Sequence, residues 1–248
     1  MIRPYRSSDR EALVALWTSI FGVPRELVEG FYDLLPWMGS CAVAEEAGNI
    51  LGMAHLIHGF TMMLPERDSI PCGYLYAVAV TEEARGRGLG AKLSSKAVEL
   101  GKAQGAELFC TLPAEESLYS WYGEILDLNC RSIRSIFDAD ELPKGCFLIG
   151  ADQYGFLREE ALWGRPHVEL YNAAMQFQEM LCTAYGGGMY RYENVIFCAT
   201  HEDGIWRIPE CIPVRQGPLP SGFRKSERPF LASDRPLPDG LVWNLTFD

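Results

Sequence analysis

Between residues 78 and 91 the chain reads Val-Ala-Val-Thr-Glu-Glu-Ala-Arg-Gly-Arg-Gly-Leu-Gly-Ala, and the spacing of its glycines suits the binding of an anion. Gly86, Gly88 and Gly90 occupy every second position. Backbone N–H groups that no side chain covers therefore converge where a helix begins, and there unpaired donors and the helix dipole favour negative charge. Arg85 and Arg87 add positive charge within a chain whose formal charge is −11. A pyrophosphate matches this electrostatic shape. Other glycine loops fit less well. A P-loop needs four residues between its glycines and then Lys-Ser/Thr, which are absent. The dinucleotide spacing is nominally met by Gly86, Gly88 and Ala91, so an NAD(P)-binding oxidoreductase stands as a rival reading. That pattern expects a strand ending at the first glycine, yet five residues, 81–85, intervene, and Glu107 stands at the start of the next strand rather than its end. The loop could also be a connector that only lets strand and helix pack closely.

The elements that position this loop follow from periodicity. Residues 73–80 (GYLYAVAV) form a β-rich run with little polar alternation, as expected for a strand covered on both faces. Residues 88–104 form an amphipathic helix with Leu89, Leu93, Ala97, Leu100 and Ala103 along one side. A buried-type strand over 106–112 follows. Upstream, a strand at 2–5 leads to Ser8-Asp9-Arg10-Glu11, a capping-box pattern opening a helix that Gly22 ends. Pro24 opens a second helix through residue 35. Strands at 41–45 and 50–63 meet in a turn at Ala47-Gly48-Asn49. Downstream come a short helix at 117–126 and a strand at 130–137, with a domain boundary at 143–145. Beyond it a helix is expected over 168–185, then a hairpin of 194–200 and 205–208 around Asp203-Gly204. Residues 209–240 hold seven of the fifteen prolines and read as irregular. A closing strand is expected at 241–247.

Composition narrows the partners. With 248 residues the chain is one large domain or two small ones. Its 33 acidic against 22 basic residues repel phosphate backbones, so nucleic acid is not an expected partner, whereas amines are. The eight cysteines are scattered, no two within four residues, unlike a disulfide framework or a zinc site. They read as reduced packing residues, and no metal is expected. No apolar run approaches the ~20 residues that cross a bilayer, and Met1 leads directly into Ile2-Arg3-Pro4-Tyr5 with no leader. A cytoplasmic protein without a membrane partner is the expectation.

The strand residues 78–80 followed by Arg85-x-x-Gly88-x-Gly90 resemble the acetyl-CoA signature of the GCN5-related N-acetyltransferases, the GNAT family. The element order β-α-α-β-β-β-α-β-α-β is similar to that fold, over roughly residues 1–137. The resemblance implies a mixed α/β (α+β) fold with a central sheet flanked by helices over residues 1–140. It also implies that Arg85, Gly86, Arg87, Gly88, Leu89, Gly90 and Ala91 hold the pyrophosphate of acetyl-CoA as co-substrate. The strand carrying Val78 and Val80 is implied to splay from its neighbour, leaving backbone groups to pair with the pantetheine arm and orient the thioester carbonyl. Residues 145–248 resemble a smaller, degenerate α/β partner domain of the same fold, expected to wall the acceptor pocket rather than bind a second cofactor.

In this family an Asn, a short helix with a Tyr and a Gly-Phe ending usually follow. The matching stretch here runs from Glu115 to Leu128. Tyr122 takes the place of the tyrosine that protonates the departing thiolate, which is chemically sound because a phenol is a weaker acid than a typical thiol. Glu115 replaces the Asn, and Leu126-Asp127-Leu128 replaces the Gly-Phe. Tyr119, three residues earlier on the same helical side, is an alternative acid, and both tyrosines could be core aromatics. An acceptor amine must also lose a proton, for which Glu115, Glu116, His55 and His58 are candidates and none is singled out. His55 and His58, three apart in a strand, point to opposite faces and do not form a metal pair. The expected function is acetyl transfer from acetyl-CoA to the amine of a small molecule or peptide by direct attack. A non-catalytic acyl-CoA sensor is the alternative of a different class.

Overall fold

The computed structural model describes residues 1–65, 69–215 and 218–247. They fall into two compact units. The first comprises 1–61, 69–132 and 231–237, and the second 62–65, 133–215, 218–230 and 238–247. The chain thus leaves the first unit after residue 132 and returns to it near its C-terminal end.

In the first unit the order is β1 (Ile2–Pro4), α1 (Arg10–Phe21), α2 (Arg25–Met38), β2 (Gly39–Glu46), β3 (Asn49–Met63), β4 (Ile70–Val80), α3 (Leu89–Ala103), β5 (Leu108–Thr111) and α4 (Glu116–Leu126). The sheet runs β1-β2-β3-β4-β5. Its β1–β2 and β2–β3 pairs are antiparallel and its β4–β5 pair parallel, so the sheet is mixed, as expected for an α/β fold. Residues 232 and 233 pair antiparallel with Thr111 and Cys110. Met53, Ala54, His55, Leu56 and Ile57 of β3 are all fully buried, so this strand is covered on both faces. Ala54 and Leu56 join Leu93, Ala97 and Phe109 in the core under α3. His55 points the other way by strand alternation, toward Trp17 of α1 and Phe31 of α2. Burial of a side chain such as Leu56 or Leu93 stabilises the unit by ~1.5–3 kcal/mol. The approach of α3 to β3 depends on Gly101, where a Cβ would stand 1.8 Å from Leu56 Cδ2.

Two local expectations change here. The capping group before α1 is Asp9 rather than a Ser8–Glu11 pair. A 3₁₀ turn, Ser7–Asp9, precedes the helix, and the Asp9 carboxylate accepts the Arg6 N–H at 2.8 Å and two bonds from the Arg3 guanidinium at 2.6 and 2.8 Å. A charge-assisted bidentate pair outcompetes a serine hydroxyl. Helix α2 also continues past residue 35 to Met38 with Pro36 inside it.

The second unit holds β6 (Cys130–Ala139), β7 (Phe147–Leu148), α5 (Ala151–Leu162), β8 (His167–Leu170), α6 (Asn172–Ala184), β9 (Gly188–Tyr192), β10 (Val195–Glu202), β11 (Ile205–Pro213) and β12 (Arg224–Ser233). From residue 133 onward β6 pairs with β11, followed by β10, β9 and β7, all antiparallel. The helix expected over 168–185 is two elements, because Val168 and Leu170 are buried strand positions of β8 and α6 begins only at Asn172. Helix α5 escapes the periodic reading because its buried positions are Ala151, Tyr154, Arg158 and Leu162, one of them charged. Residues 209–240 are not irregular throughout. Strand β11 extends to Pro213, and its Pro209 lies beside the register shift between Cys198 and Thr200, where no ladder donor is needed. Strand β12 occupies ten more of these residues. The expected closing strand at 241–247 reduces to a bridge between His167 and Val242.

A buried ion network joins α5 to β11. Arg158 and Glu210 are both fully buried. Arg158 Nε donates to Glu210 Oε1 at 3.0 Å, Tyr154 donates its hydroxyl to the same oxygen at 3.0 Å, and Arg158 Nη1 donates to the Val168 carbonyl at 2.7 Å. Among the described residues no helix is long and apolar enough to cross a membrane.

Candidate active site

The anion loop follows β4 through a 3₁₀ turn, Glu82–Ala84. Gly86 and Gly88 have φ of 72° and 70°, the left-handed region that L side chains rarely adopt, and a Cβ at either would meet nothing within 4 Å. Their requirement is therefore conformational, leaving the space above the loop open. Gly88 is the residue before α3, and no side chain caps the helix. The first intrahelical bond from this end is Lys92 N–H to the Gly88 carbonyl at 3.3 Å, so the N–H groups of Leu89, Gly90 and Ala91 precede the helical ladder. No acidic residue lies in the first turn. Arg85 is exposed. Arg87 is drawn to one side, where its guanidinium grips Glu46 at 2.7 and 3.1 Å. Trp121 of α4 lies 3.5 Å from the point a Gly90 Cβ would occupy.

The ladder between β4 and β5 runs from Cys72–Leu108 to Leu75–Thr111 and ends there, as β5 itself does, while β4 continues to Val80. Val78 and Val80 therefore lie beyond the last shared rung. Just past that rung Ala77 takes a φ of 47°. Such a residue inside a strand interrupts the two-residue alternation and turns neighbouring backbone groups toward the same side, at a cost of ~1–2 kcal/mol. At the last rung Thr111 donates its hydroxyl to the Leu75 carbonyl at 2.9 Å.

Tyr122 is buried and its hydroxyl bonds with Thr111. Burial pushes its pKa up to about 12, while the Thr111 hydrogen bond pulls the other way. Tyr119 is buried as well, but the Arg131 guanidinium lies over its ring at 4.5 Å, and Arg131 also pairs with Glu116. The structure thus brings Tyr122, and not Tyr119, to Thr111 at the end of the ladder. Asp127 ends α4 at a φ of 60°, the conformation a glycine would supply, and Leu128 behind it is 2% exposed. The Asp-Leu ending therefore makes the turn that Gly-Phe makes in the resembled pattern.

The base candidates separate in the same way. Glu116 is tied to Arg131, and Glu115 precedes α4 with its carboxylate accepting from Ser117 Oγ at 3.4 Å. His58 is half-buried, and burial lowers its pKa. His55 is fully buried, which depresses its pKa to about 3 and keeps the ring neutral. It is a poor proton acceptor at neutral pH. Sequence reasoning missed Thr111, Ala77 and Tyr32. The only signal for Thr111 is one hydroxyl in an otherwise apolar strand, and for Ala77 there is none, since a glycine would have marked such a position.

A family profile described as an acetyltransferase (GNAT) domain matches residues 1–124, half of the chain. No curated protein matches by sequence. Among solved structures, a probable N-acyltransferase from Enterococcus faecalis superposes with a TM-score of 0.67 at 11% identity, covering 94% of this chain and 72% of its own. Eis1 from Mycobacterium abscessus gives 0.61 at 14%, covering 86% and 59%. A GCN5-related N-acetyltransferase from Kribbella flavida gives 0.59 at 17%, covering 86% and 57%. The chain thus spans somewhat under three fifths of the length of the last two. At these identities the likeness is one of fold, and the family rests on the profile together with the loop and sheet described above. The chain belongs to the GNAT acetyltransferase family.

Proposed function

We propose that this protein moves an acetyl group from acetyl-CoA to a primary amine of a small molecule or peptide, the amine attacking directly. The observation that carries this reading is the meeting of Tyr122 with Thr111 where β4 outruns β5. The residues present fit the co-substrate, because the uncapped start of α3 and the open, left-handed Gly86 and Gly88 form an anion cradle. Leu89, Gly90 and Ala91 would hold the diphosphate by their N–H groups, with Arg85 adding charge. The backbone of Val78 to Val80 would hold the pantetheine arm. Acetyl-CoA supplies the acyl carbon to which the amine nitrogen bonds and the sulfur from which that carbon parts. Tyr122 keeps a proton at its phenolic oxygen for that sulfur, and the raised pKa means it is protonated throughout the neutral range.

Free-thiol release from acetyl-CoA across a panel of amines tests the reading. Turnover with at least one amine is expected. Tight binding of acetyl-CoA with no turnover for any amine would instead make the protein an acyl-CoA sensor, and absence of both would overturn the reading.

A further inference from the structure

Strand β4 has a second neighbour, β3, whose side chains bear on the same backbone. Thr81 N–H bonds to the Leu51 carbonyl at 2.9 Å, and Gly52 lies against Ala79 and Val80. Counting back along the two strands from these contacts brings His55 to the level of Tyr76 and Ala77, and the backbone of both residues lies against its ring. Trp17 and Phe31 close over the imidazole, with ring centroids at 4.8 and 5.2 Å, and both also contact Tyr76, at 5.6 and 5.9 Å. His55 is therefore a polar group sealed among aromatics beside the left-handed residue of β4.

The ring's two nitrogens are not equivalent. Nε2 lies 3.0 Å from the Tyr32 hydroxyl, while Nδ1 has no formed hydrogen bond. The Tyr32 hydroxyl has one proton and two neighbours, Nε2 and the Met53 sulfur at 3.7 Å. Sulfur is the weaker acceptor, so the proton goes to Nε2 and the imidazole carries its own proton on Nδ1. The nearby backbone of Ala77 and Tyr76 favours a protonated ring, as carbonyl acceptors do. A buried donor without a bond is costly, and one beside acceptors is a bond waiting for a small shift of the strand.

We propose that His55 is a positioning residue, with Tyr32 fixing its tautomer, and that its Nδ1–H holds the Tyr76–Ala77 backbone in the conformation that aims β4 groups at a bound thioester carbonyl. This rests on the reading above that acetyl-CoA lies along β4. His55 touches no reacting atom and exchanges no proton.

The test uses acetyl-CoA labelled with ¹³C at the carbonyl, and needs no acceptor. In the wild-type protein the bound carbonyl resonance is expected to shift from its free value. His55→Leu should lose most of that shift and weaken acetyl-CoA about fivefold, the size of one neutral hydrogen bond, while CoA itself binds as before. His55→Asn, whose amide N–H can stand near the Nδ1 position, should recover part of the shift. An unchanged resonance in His55→Leu, equal weakening of CoA and acetyl-CoA, or an Asn variant no better than Leu would overturn the proposal. If His55→Leu does not fold, Tyr32→Phe decides, since partial loss of the shift is expected and none overturns the proposal. A wild-type protein that binds neither CoA nor acetyl-CoA overturns the parent reading and this one with it. A wild-type shift that the variants keep overturns this one alone.

Discussion

Thr111 donates its hydroxyl to the Leu75 carbonyl on the last rung that β4 and β5 share, so its oxygen is left to accept the proton of Tyr122. The phenol is thereby held at the point where the strands part. Tyr122→Phe keeps the ring and removes only the proton. It should lower kcat by about 10²-fold, the low end for a general acid, with little change in KM for acetyl-CoA. Tyr119→Phe should leave kcat near wild type. Steady-state kinetics on both variants decide, and equal losses would remove Tyr122 from the role.

The same burial sets a pH dependence. An acid works while protonated, and the Tyr122 pKa is raised to about 12. Activity that depends on its proton should therefore persist through the range near 10, where an ordinary tyrosine ionises. Thr111→Val removes the bond that opposes the rise and should move the alkaline limb higher still. A pH–rate profile with a fall centred near 10 would contradict this assignment.

Gly88 offers a separation of fold from binding. Its φ of 70° and empty surroundings match those of Gly22, which ends α1 at 68° away from the loop. Alanine at either should cost ~1 kcal/mol, or roughly 2–4 °C in Tm for a chain of this size. Only Gly88→Ala should weaken CoA, by about tenfold, because it disturbs the start of α3. Calorimetry on the two variants makes the comparison, and equal CoA affinity would show that the loop does not hold the diphosphate.

What the sequence revealed and what it hid have a common physical cause. The loop at 85–91 is legible because glycine alternation constrains backbone locally, and α3 because Leu93 and Ala97 recur at helical spacing over a buried strand. Tyr122 could be proposed from its place in α4, but its choice over Tyr119 depends on Thr111 and Arg131, which lie in other elements. The left-handed Ala77 is invisible because its conformation is imposed by neighbours and not by its own side chain. In the second unit the reading of α5 failed because Arg158 occupies a core position that only a buried partner makes tolerable.

That partner is Glu210, and both side chains are fully buried. Removing one charge of such a pair strands the other without solvent. Glu210→Leu should therefore destabilise the protein by about 3–5 kcal/mol. Arg158→Met combined with Glu210→Leu should recover much of that loss, because no uncompensated charge remains. Recovery will be incomplete, since Tyr154 loses its acceptor and the Val168 carbonyl its donor. Thermal or denaturant unfolding of the three proteins is the measurement, and a double variant as unstable as the single one would mean that packing, not charge, sets the cost.

His167 makes the stability of this unit depend on pH. Its Nδ1 faces the Arg165 carbonyl and its Nε2 the Glu159 carboxylate, both at 2.8 Å. Both partners are acceptors, so only the doubly protonated imidazolium satisfies them at once. Burial and the Arg158 charge oppose protonation, and Glu169 also faces the group, but the bonds to Glu159 and Arg165 prevail and raise the pKa above 6.5. A group whose folded pKa is raised contributes stability that is complete below its unfolded value and disappears as pH climbs through the folded one. The wild-type protein should therefore exceed His167→Gln in Tm most clearly in mild acid, and the gap should narrow toward alkaline pH. Glu159→Gln weakens the attraction and should bring the narrowing to lower pH. Melting curves from about pH 5 to about pH 9 follow the gap across the range where histidine titrates. A gap constant over that range would mean that His167 is neutral in the folded protein and donates to only one of its two partners.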